Sequence, residues 1–258
     1  MPYTFSPVKK FLLTLILVVS LAGPAASYDD AEESAEFVFA RVQFNMSLSA
    51  LLEPEAPWHH DYPYAEDLYL SLVEEFTGVQ TSPDSYEIVQ LESPDIFKYP
   101  FLYFSEPGYM DMTPEEEENL RGYFNRGGFA MFDDFRGTDL NNLAGQMKRL
   151  FPDRELFPLT VRHRLFNSFY EIDTLDMVPL YGGFIGADGE FVVTDLRFTG
   201  GPEFWGMEDE RGRLILVANQ NNDLGEYWEG LDQATTSFDD AANAVRLGIN
   251  YLIYAMTH

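Results

Sequence analysis

The sequence predicts an α/β fold with a mostly parallel central sheet, and three observations carry that expectation. Short apolar runs rich in β formers alternate with helical patterns. One strand, helix, strand succession is sharply punctuated. The 258 residues include no cysteine, so stability has to come from a hydrophobic core rather than disulfides. With 46% hydrophobic residues, one sizeable core is feasible and no second domain is required.

The elements follow in order. Phe37, Phe39, Val42 and Phe44 mark a first strand. A loop with Pro54, Pro57 and Pro63 leads to Ala65, after which Leu68, Leu72, Val73 and Phe76 repeat on one helical face and Gly78 stands as a stop. Tyr86 to Leu91 is the next strand, and Tyr99 to Ser105 a short buried one. Thr113, with Pro114 and Glu116, forms a capping box that places carboxylates at the positive end of a helix running to about Arg126. Gly127-Gly128 ends that helix, and Phe129 to Phe132 is a strand emerging into Asp133-Asp134. This spacing is that of a parallel βαβ unit. Asn141 to Phe151 is a further helix. The second half is less regular, with short apolar runs at Phe169 to Ile172, Phe191 to Leu196 and Arg213 to Ala218, and a hairpin signal at Asp188-Gly189. Ser237 and Asp240 cap a closing helix whose apolar face is Phe238, Ala242, Val245, Ile249, Leu252, Ile253 and Met256.

The N-terminus predicts export. Lys9 and Lys10 precede the apolar stretch Phe11 to Ala22 and the small residues of Gly23 to Ser27, the three parts of a secretory leader. That core is shorter than the ~20 residues of a membrane-spanning helix, so cleavage after Ala26 or Ser27 is expected, with no integral span in the mature chain. Residues 1–27 are read as the signal peptide, 28–35 as an acidic tail and 36–258 as one α/β domain, periplasmic or extracellular. Losing the leader removes two lysines and no acid, which takes the formal charge from −27 to −29. Such a field disfavours nucleic acid and anionic head groups. It also suits a soluble protein in an exposed compartment.

Three blocks together resemble a family known as domain of unknown function 4159. They are Trp58-His59-His60-Asp61-Tyr62-Pro63-Tyr64-Ala65-Glu66-Asp67; then Tyr99 to Tyr103, Leu120 to Tyr123 and Gly127 to Asp134; then Gly212 to Val217 with Asn222 to Gly225 and Trp228. Their ordered spacing covers roughly residues 36 to 256. The family is similar in outline to class I glutamine amidotransferase-like domains, so the resemblance implies a flavodoxin-like sandwich and carries no settled activity. In that outline Asp133-Asp134 occupies roughly the elbow of a nucleophilic cysteine. A carboxylate there cannot perform thiolate chemistry, which excludes glutamine amidotransfer. Arg162-His163-Arg164 departs from the Asp-His-Pro usual in the family.

Ligands of open parallel sheets bind beyond the carboxyl ends of the strands. That rule selects Asp61 with Tyr62, Ser105 with Glu106, Asp133 with Asp134, and Asn222 with Asp223, with Trp228 nearby in sequence. Asp133 and Asp134 are the candidate catalytic acids, with His163 as a general base. The competing reading of Asp133-Asp134 is a turn in which one carboxylate caps an N–H near Gly137. Asp61, Tyr62, Asn222, Asp223 and Trp228 are candidate ligand contacts. His59 and His60 read as loop surface, because adjacent histidines point apart and have no partner at metal-binding spacing. No cofactor is expected. A divalent cation held by converging carboxylates is the one candidate.

Neither a G-x-S-x-G elbow nor a phosphate-binding glycine loop is present. Two readings of function remain. One is a non-catalytic binding or assembly module of the cell envelope, whose partner would be an envelope protein or glycan. The other is a carboxylate- or metal-dependent hydrolase acting on an envelope glycan or peptide.

Overall fold

The computed structural model describes residues 35–81, 85–175, 183–185, 191–193, 200–231 and 237–258. The leader and nearly all of the acidic tail lie outside them, as does the Asp188-Gly189 turn. The strands predicted on either side of that turn, Gly183–Ile185 and Phe191–Val193, do pair antiparallel, with Ile185 opposite Phe191.

The main strands are β1 (Phe39–Gln43), β2 (Tyr86–Gln90), β3 (Phe101–Ser105), β4 (Phe129–Phe135) and β5 (Phe157–Pro158). The small hairpin supplies β6 and β7, and the sheet is completed by β8 (Glu203–Glu208) and β9 (Leu214–Gln220). The large sheet runs β2-β1-β3-β4-β9-β8-β5. Every neighbouring pair from β2 to β9 is parallel, while β8 and β5 are added antiparallel at one edge. Taking β9 as the fifth parallel strand, this is the 2-1-3-4-5 order of flavodoxin-like sheets, whose direction of winding reverses between β1 and β3. The expected fold class holds.

Among the described residues, five helices cover the two faces: α1 (Tyr64–Thr77), α2 (Pro114–Asn125), α3 (Asp139–Leu150), α4 (Leu224–Glu229) and α5 (Phe238–Thr257). Strand alternation divides the core accordingly. Phe39, Phe101, Tyr103, Phe129, Met131 and Val217 pack toward α1, α4 and α5. Ala40, Val42, Leu102, Phe104, Phe132 and Leu216 pack toward α2 and α3. Register brings Phe104 opposite Phe132, and their rings stack at 4.5 Å.

The capping boxes are where the sequence places them. Thr113 accepts from Glu116 N while the Glu116 carboxylate accepts from Thr113 N at 2.8 Å, and Ser237 accepts from Asp240 N. Two predicted helix faces are rotated. In α1 the buried residues are Ala65, Glu66, Tyr69, Leu70 and Val73, and Phe76 is half exposed. Tyr69 turns inward because it stacks on Trp228 at 4.3 Å, and Glu66 because Arg41 needs a counter-ion. In α5, Phe238 is 81% exposed, while Gly248 faces Trp228 and Tyr69 so closely that a Cβ would lie 2.7 Å from each ring. The run Phe169 to Ile172 forms no regular element. Its first two N–H groups donate instead to the buried Asn250 side chain of α5.

Candidate functional site

Along the face covered by α1, α4 and α5, the inward alternation turns polar at each strand's carboxyl end: Arg41 on β1, Tyr103 on β3, Asp133 on β4 and Asn219 on β9, all at most 1% exposed. The sheet thus carries its hydrophobic pattern to the ligand edge and then exchanges it for polar groups.

Arg41 fixes the loop after β1. It pairs with Glu66, and its Nη1 donates to the carbonyls of Trp58 and His60 at 3.2 and 2.8 Å. Its guanidinium lies over the Tyr103 ring at 4.7 Å. Residues His60 and Asp61 are thereby held over the β1–β3 reversal.

Asp133 is the floor. Its Oδ1 accepts from Asn219 at 2.8 Å, and its Oδ2 accepts from the backbone of Leu224 and Gly225 at 2.8 and 3.1 Å. The residue therefore stitches β4 to the first turn of α4. Burial pushes its carboxyl up to about 7 against the pull of the Asn219 hydrogen bond. The predicted turn at Asp133-Asp134 is instead the last part of β4, with an irregular register against β9 between Phe132 and Phe135. The N–H of Gly137 donates to Asn221, not to either aspartate.

Asp134 lies at the centre of the charges. Burial would raise its pKa, but Arg136 and His60 overcome burial and hold it at about 2. His60 Nδ1 lies 2.9 Å from Asp134 and 3.3 Å from Asp61, and its hydrogen bond to Asp134 lifts it to about 10, so the ring is an imidazolium at neutral pH. Arg136 reaches Asp134 at 2.9 Å and Asp223 at 3.7 Å. Asp61 and Asp223 are both held well above the carboxylate range by burial, with Asp134 reinforcing the effect, and Glu106 is raised to about 8 for the same reasons.

The backbone is strained here. The non-glycine residues with positive φ among those described are Asp61 (66°), Glu106 (47°), Asp134 (52°) and Asn221 (54°). They follow or end β1, β3, β4 and β9 in turn. Such conformations cost on the order of 1–3 kcal/mol each and persist where surrounding contacts enforce them.

The structure therefore brings together Asp61, Glu106, Asp133, Asp134 and Asp223 at one edge and adds His60, Arg41 and Arg136, which the sequence did not single out. The loop-surface reading of His60 is replaced by a place at the centre, because a residue 74 positions away supplies its partner. Three other candidates lie elsewhere. His163 lies 4.0 Å from Glu208, at the amino end of β9, and its Nδ1 accepts from Leu165 N. It cannot serve Asp133 from the opposite end of the sheet. Trp228 is 1% exposed and stacked inside the core, so it is no ligand contact. Tyr62 is apart from the acids, edge-on to Tyr86 and with its ring centroid 5.9 Å from the Arg41 guanidinium. Asn222 is buried, and its side chain accepts from Asp223 N.

No helix among the described residues is long and apolar enough to cross a membrane. A search of functionally curated proteins gives no match. The model of one family, a domain of unknown function (DUF4159), matches residues 38–256. With most of its length covered by that match, the chain belongs to the DUF4159 family.

Proposed function

We propose that the mature chain is a non-catalytic binding or assembly module of the cell envelope, exported by its leader and engaging its ligand at the carboxyl edge of the sheet. The observation that carries this reading is solvent access. The side chains of Asp134, Asp223 and Asp61 are 0, 3 and 2% exposed, whereas His60 is 36% and Arg136 14% exposed. A polymer meets His60 and Arg136, with the partly exposed Glu106, Glu226 and Glu229, and is kept from the buried Asp61, Asp134 and Asp223. A floor so closed supports recognition by a fixed charge pattern, because a nucleophile or base has to reach the atom it acts on.

The test is co-sedimentation of the purified chain with a panel of insoluble cell-wall glycans and peptides. Retention that is lost in Arg136→Glu and kept in Arg211→Ser, with no soluble fragment released, is the expected result.

One observation favours the hydrolase as a second reading. Asp134 and Asp223 bring carboxyl oxygens within 4.8 Å of one another, the first held at about 2 and the second well above the carboxylate range. Two carboxyls whose pKa values are pushed apart are the starting point for acid–base catalysis. Release of soluble fragments that disappears in Asp134→Asn would establish that reading and remove the first.

A further inference from the structure

Beside the His60–Asp134–Asp223 group stands a second cluster. One oxygen each from Asp61, Glu226 and Glu229 all lie within 4.8 Å of one another. Glu226 and Glu229 are three residues apart on α4, so both project from the same face of that helix. Asp61 is delivered to them by the loop that Arg41 anchors. Gly225 makes the approach possible, since a Cβ there would lie 2.7 Å from Asp61 Oδ2.

That oxygen supplies the second, independent observation. Asp61 is 9% exposed, its Oδ1 faces His60 at 3.3 Å, and its Oδ2 accepts no hydrogen bond. It lies against the first turn of α4, where Glu226 begins. A buried carboxyl oxygen with no hydrogen-bond partner is an unpaid desolvation cost, and among converging acids a cation relieves it by taking the place of the proton that burial favours.

The two clusters differ in their ligand atoms and in how many cations stand among them, His60 touching both through Asp134 and Asp61. The ligand atoms of the His60–Asp134–Asp223 group are also mutually within 4.8 Å, but His60 and Arg136 are in contact with its carboxylates and neutralise them from within. A metal ion there would have to displace a proton and a guanidinium. The Asp61–Glu226–Glu229 set offers only oxygen, so it suits a hard ion rather than a transition metal. Its residues come from a loop and a short helix, with Asp61 buried and Glu226 and Glu229 partly open to solvent. That irregular, open arrangement suits calcium, which takes six to eight oxygens and accepts water among them, better than the strict octahedron of magnesium.

We propose that Asp61, Glu226 and Glu229 bind one calcium ion at the carboxyl edge of the sheet. The inference deepens the binding reading, because an ion with open coordination positions gives the edge a way to hold a carboxylate or polyol oxygen of its ligand. It rests on that reading only for the ligand.

The experiment is calorimetric titration of calcium chloride into the purified chain after chelator treatment, with a thermal melt at about 5 mM calcium, above the ~1 mM at which extracellular calcium modules work. The expected result is one equivalent bound and a raised Tm in the wild type. In the double variant Glu226→Gln, Glu229→Gln, affinity is expected to fall by about tenfold or more while the calcium-free melt is unchanged. Both side chains are partly exposed, so the variant keeps its fold. Glu208→Gln, at the other end of the sheet, is expected to bind as the wild type does. Absence of a calcium-dependent rise in Tm, or an equal rise in the double variant, overturns the inference. The two proposals fail separately. Glycan retention that persists in chelator and in the double variant removes the calcium site and leaves the binding module standing. Calcium binding without retention of any polymer does the reverse.

Discussion

The two ends of the parallel sheet solve the same problem in different ways. At the amino end the chain must turn out of helices and into strands, and the residues with positive φ there are Gly78, Gly127 and Gly212. Charge is spent on the backbone at that end: Arg213 donates to the carbonyls of Gly127, Gly128 and Phe124 while pairing with Asp209. A cavity of about 450 Å³ opens there, lined by Arg126, Arg154, Arg211 and Arg213. At the carboxyl end, left-handed backbone falls on Gly137 and Gly200 and also on the non-glycine residues Asp61, Glu106, Asp134 and Asn221, and buried acids face one another. Glycine is the residue that minimises strain, and functional side chains are what forbid it. The amino end is therefore arranged for stability, and the carboxyl end holds strain and like charge in place.

Asp133→Ala is expected to show the largest effect, because it tests whether the carboxyl edge is stitched together through one carboxylate. Four donors, from Tyr103, Asn219, Leu224 and Gly225, would lose their acceptor inside the protein. Buried unsatisfied donors cost about 1–3 kcal/mol each, so denaturant titration should register a loss of about 3 kcal/mol or more. A loss below about 1 kcal/mol would show that α4 is held by other contacts.

Gly225→Ala should come next. Its Cβ would meet Asp61 Oδ2 at 2.7 Å and the Tyr103 hydroxyl at 2.9 Å, and overpacking of this kind costs about 1–3 kcal/mol. The same variant should weaken calcium binding, whereas Gly145→Ala, where nothing lies within 4 Å, should do neither.

A matched pair tests the contrast itself by thermal melting. Gly212→Ala places a side chain at φ 75° and should cost about 1 kcal/mol. Glu106→Gly relieves φ 47° and should gain up to about 1 kcal/mol despite the added freedom of the unfolded chain. Equal signs for the two would mean that the carboxyl edge stores no strain.

The smallest expected effect is one of pH. Glu106 and Asp133 are raised to about 8 and about 7 in the folded chain, so folding takes up protons that the unfolded carboxyls have released. Their contribution is favourable at low pH and is lost as pH rises through those values. In chelator, Tm should therefore increase from about pH 8.5 to about pH 6, and Glu106→Gln should flatten part of that rise. Asp134, held at about 2, acts in the opposite sense only in stronger acid.

Much of this was legible in local sequence. The Thr113 and Ser237 caps, the βαβ unit around α2 and the position of Asp61 and Asp223 beyond strand ends follow from spacing alone, because capping, strand period and crossover length act over a few residues, whereas Asp134 lies inside the end of β4. The strand β8 was not legible. Its run Glu203–Glu208 carries two glutamates and a glycine, and it is held in the sheet by pairing with β9. Arg41 and Glu66 read as an ordinary charge in a strand and an ordinary acid in a helix, since nothing in either segment reveals a partner 25 residues away. Trp228 misled in the other direction, because its place beside acidic loop residues suggested exposure while Tyr69 and Gly248 had made a slot for it.

The sequence by itself determined the layered α/β architecture, the dependence on a core without disulfides and the edge on which the acids fall, since each follows from composition or short-range period. Only the tertiary structure decided what those acids are. It closed Asp133 behind four donors, set Asp134 between two cations, and turned Asp61 toward Glu226 and Glu229. The physical reason is that a carboxylate's role depends on its burial and on which charges stand within a few ångströms, and those neighbours come from strands and loops distant in the chain.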